Sequence, residues 1–303
     1  MCEKAPFKSK SRNLVVSIDG TSNQFGRNVR LRRDLYPSLV LTFYLSGIGT
    51  YVPPHRRHSF ASWKQFVANK LDLAIAWNFK RHVLDSYRWL ADHFQSGDVI
   101  FLFGFSRGAY QVRALAGMIA TVGYSILADR IRKTSKIHFK DTFSRPVSVH
   151  FLGAWDTVSS VGIFRRQPLP LTTSADHICH FRHALAIDER RVRFLPEYVN
   201  QAGNPQRETS NDAAGTVKEV WFAGTHSDID NIALDLAGVP LLWMENEATS
   251  AGLYLKSRPA SWNWKSLEKD KPIESLAGFW WFLERIPLTR STYNAKNLKE
   301  TTR

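Results

Sequence analysis

An α/β fold, with a mostly parallel central sheet flanked by helices, is predicted by three observations on this 303-residue sequence. Short β-branched or apolar runs recur between stretches of helical periodicity, the alternation that produces strand–helix–strand crossovers. The run Asp98-Val-Ile-Phe-Leu-Phe103 is apolar throughout after its first residue, as a strand covered on both faces requires. Residues able to carry chemistry stand directly after these runs, at the carboxyl ends of strands, where open α/β sheets assemble their sites.

The elements follow in order. Asn13-Leu-Val-Val-Ser-Ile18 reads as a buried strand feeding the turn Asp19-Gly20-Thr21, and Leu39 to Leu45 as a second short strand closed by Ser46-Gly47-Ile48-Gly49. Pro53-Pro54 marks a loop. From Trp63 to Phe94 the pattern is helical: Leu71, Ile75, Phe79, Val83, Leu84, Tyr87 and Leu90 recur three and four residues apart, the spacing of one buried face. Gly97 breaks that helix before the strand from Asp98 to Phe103. Arg107 to Val122 is the next helix, with Val112, Leu115, Ala116 and Ile119 on one side. Val147 to Leu152 reads as a strand, and His183 to Asp188 as the opening of another helix. Val217 to Phe222 is a further strand, and Val239 to Leu255 a helix built on Leu241, Leu242, Ala248 and Leu253. The polar stretch 203–215 reads as a loop. One domain is expected over residues 1–256, with 257–303 as a C-terminal extension packed on it.

Hydrophobic residues make up 44% of the chain and aromatic ones 13%, enough for a sizeable core, which sets disorder aside. Two cysteines, Cys2 and Cys179, are too few for a disulfide framework. The start, MCEKAPFKSKSRN, is charged and carries no apolar signal core. No apolar run approaches the roughly 18 residues of a membrane helix. An intracellular, cytoplasmic chain is therefore expected. The net charge of +14 is concentrated at Arg30 to Arg33, His55 to His58, Arg130 to Lys140, Arg165-Arg166 and Arg190 to Arg193. That balance favours anionic partners and suggests peripheral contact with an anionic membrane surface. No nucleic-acid-binding module accompanies it, so nucleic acid is not the expected partner. Nothing in the sequence indicates an oligomeric state.

Gly104-Phe105-Ser106-Arg107-Gly108 fits G-x-S-x-G, directly after a buried strand and directly before a helix. That context is the nucleophile elbow, in which a serine sits on a tight strand-to-helix turn and small neighbours let strand and helix pack closely. A serine hydroxyl needs a base to take its proton, and the base needs an acid to orient it. In this architecture both follow the serine in chain order, at the ends of later strands. Asp156 lies beyond Val147 to Leu152, and His226 beyond Val217 to Phe222. Ser106, Asp156 and His226 are thus the candidate catalytic residues. The backbone N–H of Arg107, with those of Gly20 and Thr21, is the candidate oxyanion hole. Asp19 is expected to support the turn, and Asp228 to support His226 or compete for the acid role.

His177, Cys179, His180 and His183 cluster in sequence, and on a helix His180 and His183 would share a face. No zinc signature accompanies them, so no metal is expected. Ser266-Leu-Glu-Lys269 fits S-x-x-K without its companion motifs, and no Walker or Rossmann glycine pattern is present, so no cofactor is expected.

Four segments, Ile18-Asp-Gly-Thr21, Gly104-Phe-Ser-Arg-Gly-Ala-Tyr110, Ala154-Trp-Asp-Thr-Val158 and Trp221-Phe-Ala-Gly-Thr-His-Ser-Asp228, resemble the α/β-hydrolase family named for the catalytic domain of type VI secretion phospholipase effectors. The sequence resembles its fungal branch most, over about residues 13–256. The resemblance implies an α/β-hydrolase-like fold and hydrolysis of small-molecule or lipid esters, phospholipids included, with Ser106, Asp156 and His226 as a triad. Three segments depart from the family pattern. Asp228 leads into Ile229-Asp230-Asn231 where the family carries a run of glycines, which bears on the placement of His226. The stretches after Asn28 and after Gly123 are short. Two other readings stay open at this point: a catalytically impaired hydrolase-fold binding protein, and a basic binder of polyanions or nucleic acid.

Overall fold

The computed structural model describes residues 11–20, 38–47, 78–122, 124–125, 144–145, 147–158, 172, 174–191, 194, 196–199, 216–229, 238–256, 272–276, 292–293 and 299–300. The loops at Pro53-Pro54 and 203–215, the helix start at 63–77 and most of the extension lie outside these residues. Six strands form the central sheet: β1 (Asn13–Ile18), β2 (Val40–Leu45), β3 (Val99–Phe105), β4 (Val149–Trp155), β5 (Ile178–Ala186) and β6 (Thr216–Phe222). Helix α1 covers 78–93, α2 Arg107–Val122 and α3 Gly238–Ser250. The sheet order is β2-β1-β3-β4-β5-β6, and every pairing in it is parallel. Two short antiparallel pairs, Tyr124–Ser125 with Ser144–Arg145 and Thr292–Tyr293 with Lys299–Glu300, stand outside it.

The pleat sorts each strand between two cores. Along β3, Ile100 and Leu102 turn toward a cluster with Leu14, Val16 and Ile18 of β1, Phe79, Val83, Tyr87 and Leu90 of α1, and Val112, Leu115, Ala116 and Ile119 of α2. Phe101, Phe103 and Phe105 turn the other way and pack with Phe151, Trp155, Ala184 and Ala186, and with Met244 and Ala248 of α3. This is the two-periodicity of a strand buried on both faces. It accounts for the wholly apolar run at β3.

The first crossover runs from β1 to β2, and the chain then returns to the far side of β1 to lay down β3. The carboxyl ends of β1 and β3 therefore flank the point where strand order reverses, the place where open α/β sheets bind their ligands. Among the described residues, no helix is long and apolar enough to cross a membrane.

Two expectations are corrected. The strand anticipated at Val147 to Leu152 begins at Val149 and runs three residues further, to Trp155, so that Asp156 abuts it directly. The helix anticipated from His183 to Asp188 does not form. Its first four residues complete β5, and Ile187 and Asp188 form a bend. Ala184, Leu185 and Ala186 favour helix in isolation, but β5 lies between β4 and β6 and is hydrogen-bonded on both sides. Tertiary pairing overrides the local preference.

Candidate active site

Ser106 leaves β3 with φ of 55°, and Asp156 leaves β4 with φ of 41°. These are the only non-glycine residues among those described with positive φ. They occupy equivalent places, because Phe105 and Trp155 are register partners in adjacent strands. The Ser106 N–H donates to Trp155 O at 2.9 Å, and the Asp156 N–H to Ala184 O at 2.8 Å, so each kink is held by the next strand. Non-glycine residues adopt this region rarely and at a cost, and such kinks concentrate at functional sites.

The elbow depends on close backbone approach. A Cβ on Gly108 would lie 2.1 Å from Ile18 O, and one on Gly104 2.5 Å from Gly108 O. Backbone cannot yield as a flexible side chain can, so α2 reaches β1 and β3 only through glycines.

His226 stands four residues beyond β6, which lies three strands from β3, about 14 Å at ordinary strand spacing. The loop 223–228 returns the imidazole across that gap. His226 Nδ1 lies 2.5 Å from Asp156 Oδ2, and Nε2 lies 2.8 Å from Ser106 Oγ. An ionised carboxylate only accepts, so Nδ1 carries the proton and Nε2 accepts from the Ser106 hydroxyl. The second carboxylate oxygen of Asp156 accepts from the Ala186 N–H at 3.1 Å. All three residues are buried, Asp156 completely.

Side chains that sequence reasoning missed hold this arrangement. Glu189 Oε2 accepts from the His226 N–H at 3.2 Å, and both of its oxygens accept from the Arg191 guanidinium. Burial alone would raise the Glu189 pKa, but the hydrogen bonds from Arg191 outweigh it and hold the carboxyl below its ordinary value. The Arg191 guanidinium lies 3.8 Å from the centre of the Phe194 ring, and Phe194 meets the His226 ring edge-on at 5.0 Å. Phe105 stacks on the same imidazole at 4.7 Å. His226 is thus held through its backbone N–H, by a ring stacked on its imidazole and by a second ring set edge-on to it.

The Asp156 side has its own support. The Thr157 N–H donates to His183 Nε2 at 3.1 Å, which leaves His183 Nδ1–H to donate to Glu219 Oε1 at 2.9 Å. Burial lowers the His183 pKa, consistent with that neutral tautomer. Glu219 also accepts from the Val199 N–H, and the Glu197 N–H donates to Thr157 O at 2.9 Å. Arg113, fully buried and lowered by burial to a pKa of about 10, donates to the carbonyls of Thr172, Glu197 and Tyr198. The backbone after Asp156 is thereby tied through both N–H and C=O.

The other expected residues fall as follows. Gly20 lies against the elbow: a Cβ there would meet Phe105 Cδ1 at 2.6 Å and Ser106 Cβ at 3.1 Å. The Arg107 N–H opens α2, where a helix has no internal acceptor for it. Thr21 is outside the described residues. Asp19 is buried and accepts from the Tyr44 hydroxyl of β2, anchoring the turn. Asp228 does not compete for the imidazole. Its Oδ2 accepts from the N–H and Oγ1 of Thr225 and from the Ile273 N–H, closing the histidine loop onto the C-terminal segment. Arg190 reaches the same segment through Ser275 Oγ and Glu274. Ile229, where the family pattern has glycine, is buried among Phe105, Trp155 and Met244, and His226 still meets Ser106. His180 and His183 lie three apart on one strand and so face opposite sides of the sheet. His180 pairs with Thr216 Oγ1 at 3.1 Å, away from the site. Among the described residues, no group of three or more His, Cys, Asp or Glu is placed to hold a metal.

A parallel α/β sheet with a serine elbow at its switch point defines a protein of the α/β-hydrolase type. The chain belongs to the family described as T6SS, phospholipase effector Tle1-like, catalytic domain, whose model matches residues 12–130 and 124–247. A curated relative, Uncharacterized protein YEL023C of Saccharomyces cerevisiae, is 33% identical over 223 residues, covering 61% of this chain and 32% of the relative. The chain thus spans about a third of that relative's length. Among solved structures, an uncharacterized protein from Pseudomonas aeruginosa aligns over 87% of this chain and 49% of its own, at 15% identity and a TM-score of 0.43. The Tle1 effector bound to the VgrG spike from the type 6 secretion system aligns over 73% of this chain and 51% of its own, at 18% identity and 0.40. ClbQ from the colibactin NRPS/PKS pathway aligns over 80% and 98%, at 11% identity and 0.42.

Proposed function

We propose that this chain is a serine-dependent hydrolase of lipid or phospholipid esters, with Ser106 as nucleophile, His226 as general base and then acid, and Asp156 as the group that orients His226. The observation that carries the proposal is the unbroken contact Ser106 Oγ–His226 Nε2 and His226 Nδ1–Asp156 Oδ2. In the first step His226 takes the hydroxyl proton as Ser106 Oγ bonds to the acyl carbon, and the carbonyl oxygen becomes an oxyanion. The N–H groups of Arg107 and Gly20, with Thr21, stabilise that charge. Collapse of the tetrahedral adduct expels the alcohol, which takes the proton from His226. Water, deprotonated by the same nitrogen, then releases the carboxylic acid and restores Ser106.

The lipid class rests on the family. The net charge of +14 supports docking on anionic membrane, for which tighter binding to anionic than to neutral vesicles at low salt is the expected result. The direct test is fatty-acid release from a short-chain phospholipid by the purified protein beside Ser106→Ala. Release that disappears in the variant is expected. A folded protein inert toward phospholipids and simple esters alike would leave a hydrolase-fold binding protein as the better reading.

A further inference from the structure

Ser106 and Asp156 make the same left-handed departure from adjacent strands, but only Ser106 is followed by an element that holds it. α2 begins at the next residue, and the Tyr110 N–H closes its first turn onto Ser106 O at 3.3 Å. Thr157 and Val158, the residues after Asp156, belong to no helix or strand. A non-glycine residue at positive φ persists only where its surroundings over-determine it. What determines Asp156 is the capture of three successive N–H groups. Its own donates to Ala184 O at 2.8 Å, and that of Val158 to Ser106 O at 3.2 Å. That of Thr157, between them, goes to a side chain, His183 Nε2, at 3.1 Å.

His183 is out of keeping with its place in β5. It is fully buried, in register with Ala154 of β4 and Glu219 of β6, and Phe181 and Leu185 beside it on the same face are apolar. A fold alone is served better there by an apolar side chain, which brings no polar atoms to desolvate. Both ring nitrogens are instead engaged. A backbone N–H only donates, so Nε2 is unprotonated and the ring proton sits on Nδ1, 2.9 Å from Glu219 Oε1. Burial, which disfavours the charged ring, keeps Nε2 an acceptor. The same Glu219 oxygen accepts from the Val199 N–H at 3.1 Å. A carboxylate thus fixes the tautomer of an imidazole whose other nitrogen accepts a hydrogen bond, the relation of Asp156, His226 and Ser106 repeated one strand away.

We propose that His183 is a positioning residue for hydrolysis: its Nε2 holds the Thr157 N–H and with it the turn from which Asp156 reaches His226, and Glu219 selects the tautomer that can do so. The inference rests on the reading of Ser106, His226 and Asp156 as the catalytic residues. His183 itself touches no reacting atom. Its loss leaves the N–H of the fully buried Thr157 without an acceptor and frees Asp156 to relax from its left-handed turn, which draws Oδ2 away from His226 Nδ1.

Ester hydrolysis and the proton NMR resonance of the His226 Nδ1–H, read on the native protein, His183→Leu, His183→Gln and Glu219→Ala, test this. That resonance lies far downfield when a carboxylate holds the proton, so it reports the Asp156–His226 contact itself. His183→Leu is expected to lower kcat about ten- to a hundredfold with KM nearly unchanged, the usual weight of a partner that orients an active group. It is also expected to move or broaden the resonance while circular dichroism stays native. His183→Gln, whose amide keeps one acceptor and one donor, is expected to recover most of kcat and the native resonance. Glu219→Ala is expected to show the same changes at smaller size, and it decides the matter if His183→Leu does not fold. Native kcat with an unmoved resonance in a folded His183→Leu, or failing that in Glu219→Ala, would overturn the proposal. Equal losses in His183→Leu and His183→Gln would overturn it too, by making His183 a matter of shape rather than of hydrogen bonding. Failure of the underlying reading is distinguishable, because it would appear as no turnover of any ester by the native protein.

Discussion

The elbow and the histidine loop bring their residues to the same point by opposite means. Ser106 is placed by seven consecutive residues of β3, a tight turn and α2. Its requirements are local: positive φ at Ser106, and no side chain at Gly104 or Gly108. His226 is placed by groups from all over the chain, namely Glu189 after β5, Asp228 in its own loop, Ile273 from the C-terminal segment, Phe105 from the elbow and Phe194 from another turn. A residue fixed by sterics tolerates no substitution at a few positions. A residue fixed by many weak ties is expected to lose position in small steps.

The sharpest break in that contrast is Gly108→Ala. A Cβ 2.1 Å from Ile18 O forces α2 off the sheet, so loss of folded protein, or destabilisation by about 1–3 kcal/mol or more with no turnover, is expected in denaturant melts and assays. Next in size is Asp156→Asn. Without the carboxylate, Nδ1 of His226 loses its acceptor and the wrong tautomer is favoured, so kcat should fall by about ten-thousandfold while circular dichroism stays native. Retention of activity would show that Asp156 does not orient the base.

Smaller effects separate the ties on the histidine loop. Asp228→Ala frees the Thr225 N–H and Ile273 N–H, and Glu189→Gln weakens the grip on the His226 backbone and on Arg191. Each is expected to lower kcat by about ten- to a hundredfold with little change in KM, the range seen when a supporting partner is lost. A fall as large as that of Asp156→Asn would mean that one tie alone carries the loop.

The smallest effect is one of pH. Burial lowers the pKa of His82, His150, His177 and His183 from 6.5, and burial with neighbouring cations brings His180 to about 4. Between those values the unfolded chain binds protons that the folded chain refuses. Stability therefore falls as pH drops from about 6.5 toward 4, and Tm should decline over that window. Four of these five histidines lie on β4, on β5 or directly before β5, against His82 alone on α1 beside α2, so acid is expected to release the β4–β5 side first. Hydrogen exchange at β5 that was no faster than at β3 as pH falls would contradict this.

Legibility in the sequence divides along the same line. The elbow was readable because its causes are contiguous: an apolar strand, G-x-S-x-G and a helical face at the expected spacing. Asp156 and His226 were readable as strand-end residues in chain order after Ser106, whereas for Asp228 the sequence left support of His226 and competition with Asp156 equally open. His183 was misjudged as part of a helix, because Ala184, Leu185 and Ala186 carry a helical signal that only pairing on both sides overrules. Glu189, Arg191, Phe194, Glu219 and Arg113 carried no signal of their own. A charged residue that bonds to a backbone group from another strand has no periodicity or motif, and its role exists only once the sheet is assembled.

The account turns on Ser106 being activated by His226. The measurement that reaches this most directly is intact-mass analysis after exposure to a fluorophosphonate, for the native protein beside Ser106→Ala and His226→Ala. The account predicts one adduct on the native protein, mapped to Ser106, and none on either variant. A folded native protein that takes up no adduct, or an adduct that persists in Ser106→Ala, would contradict it.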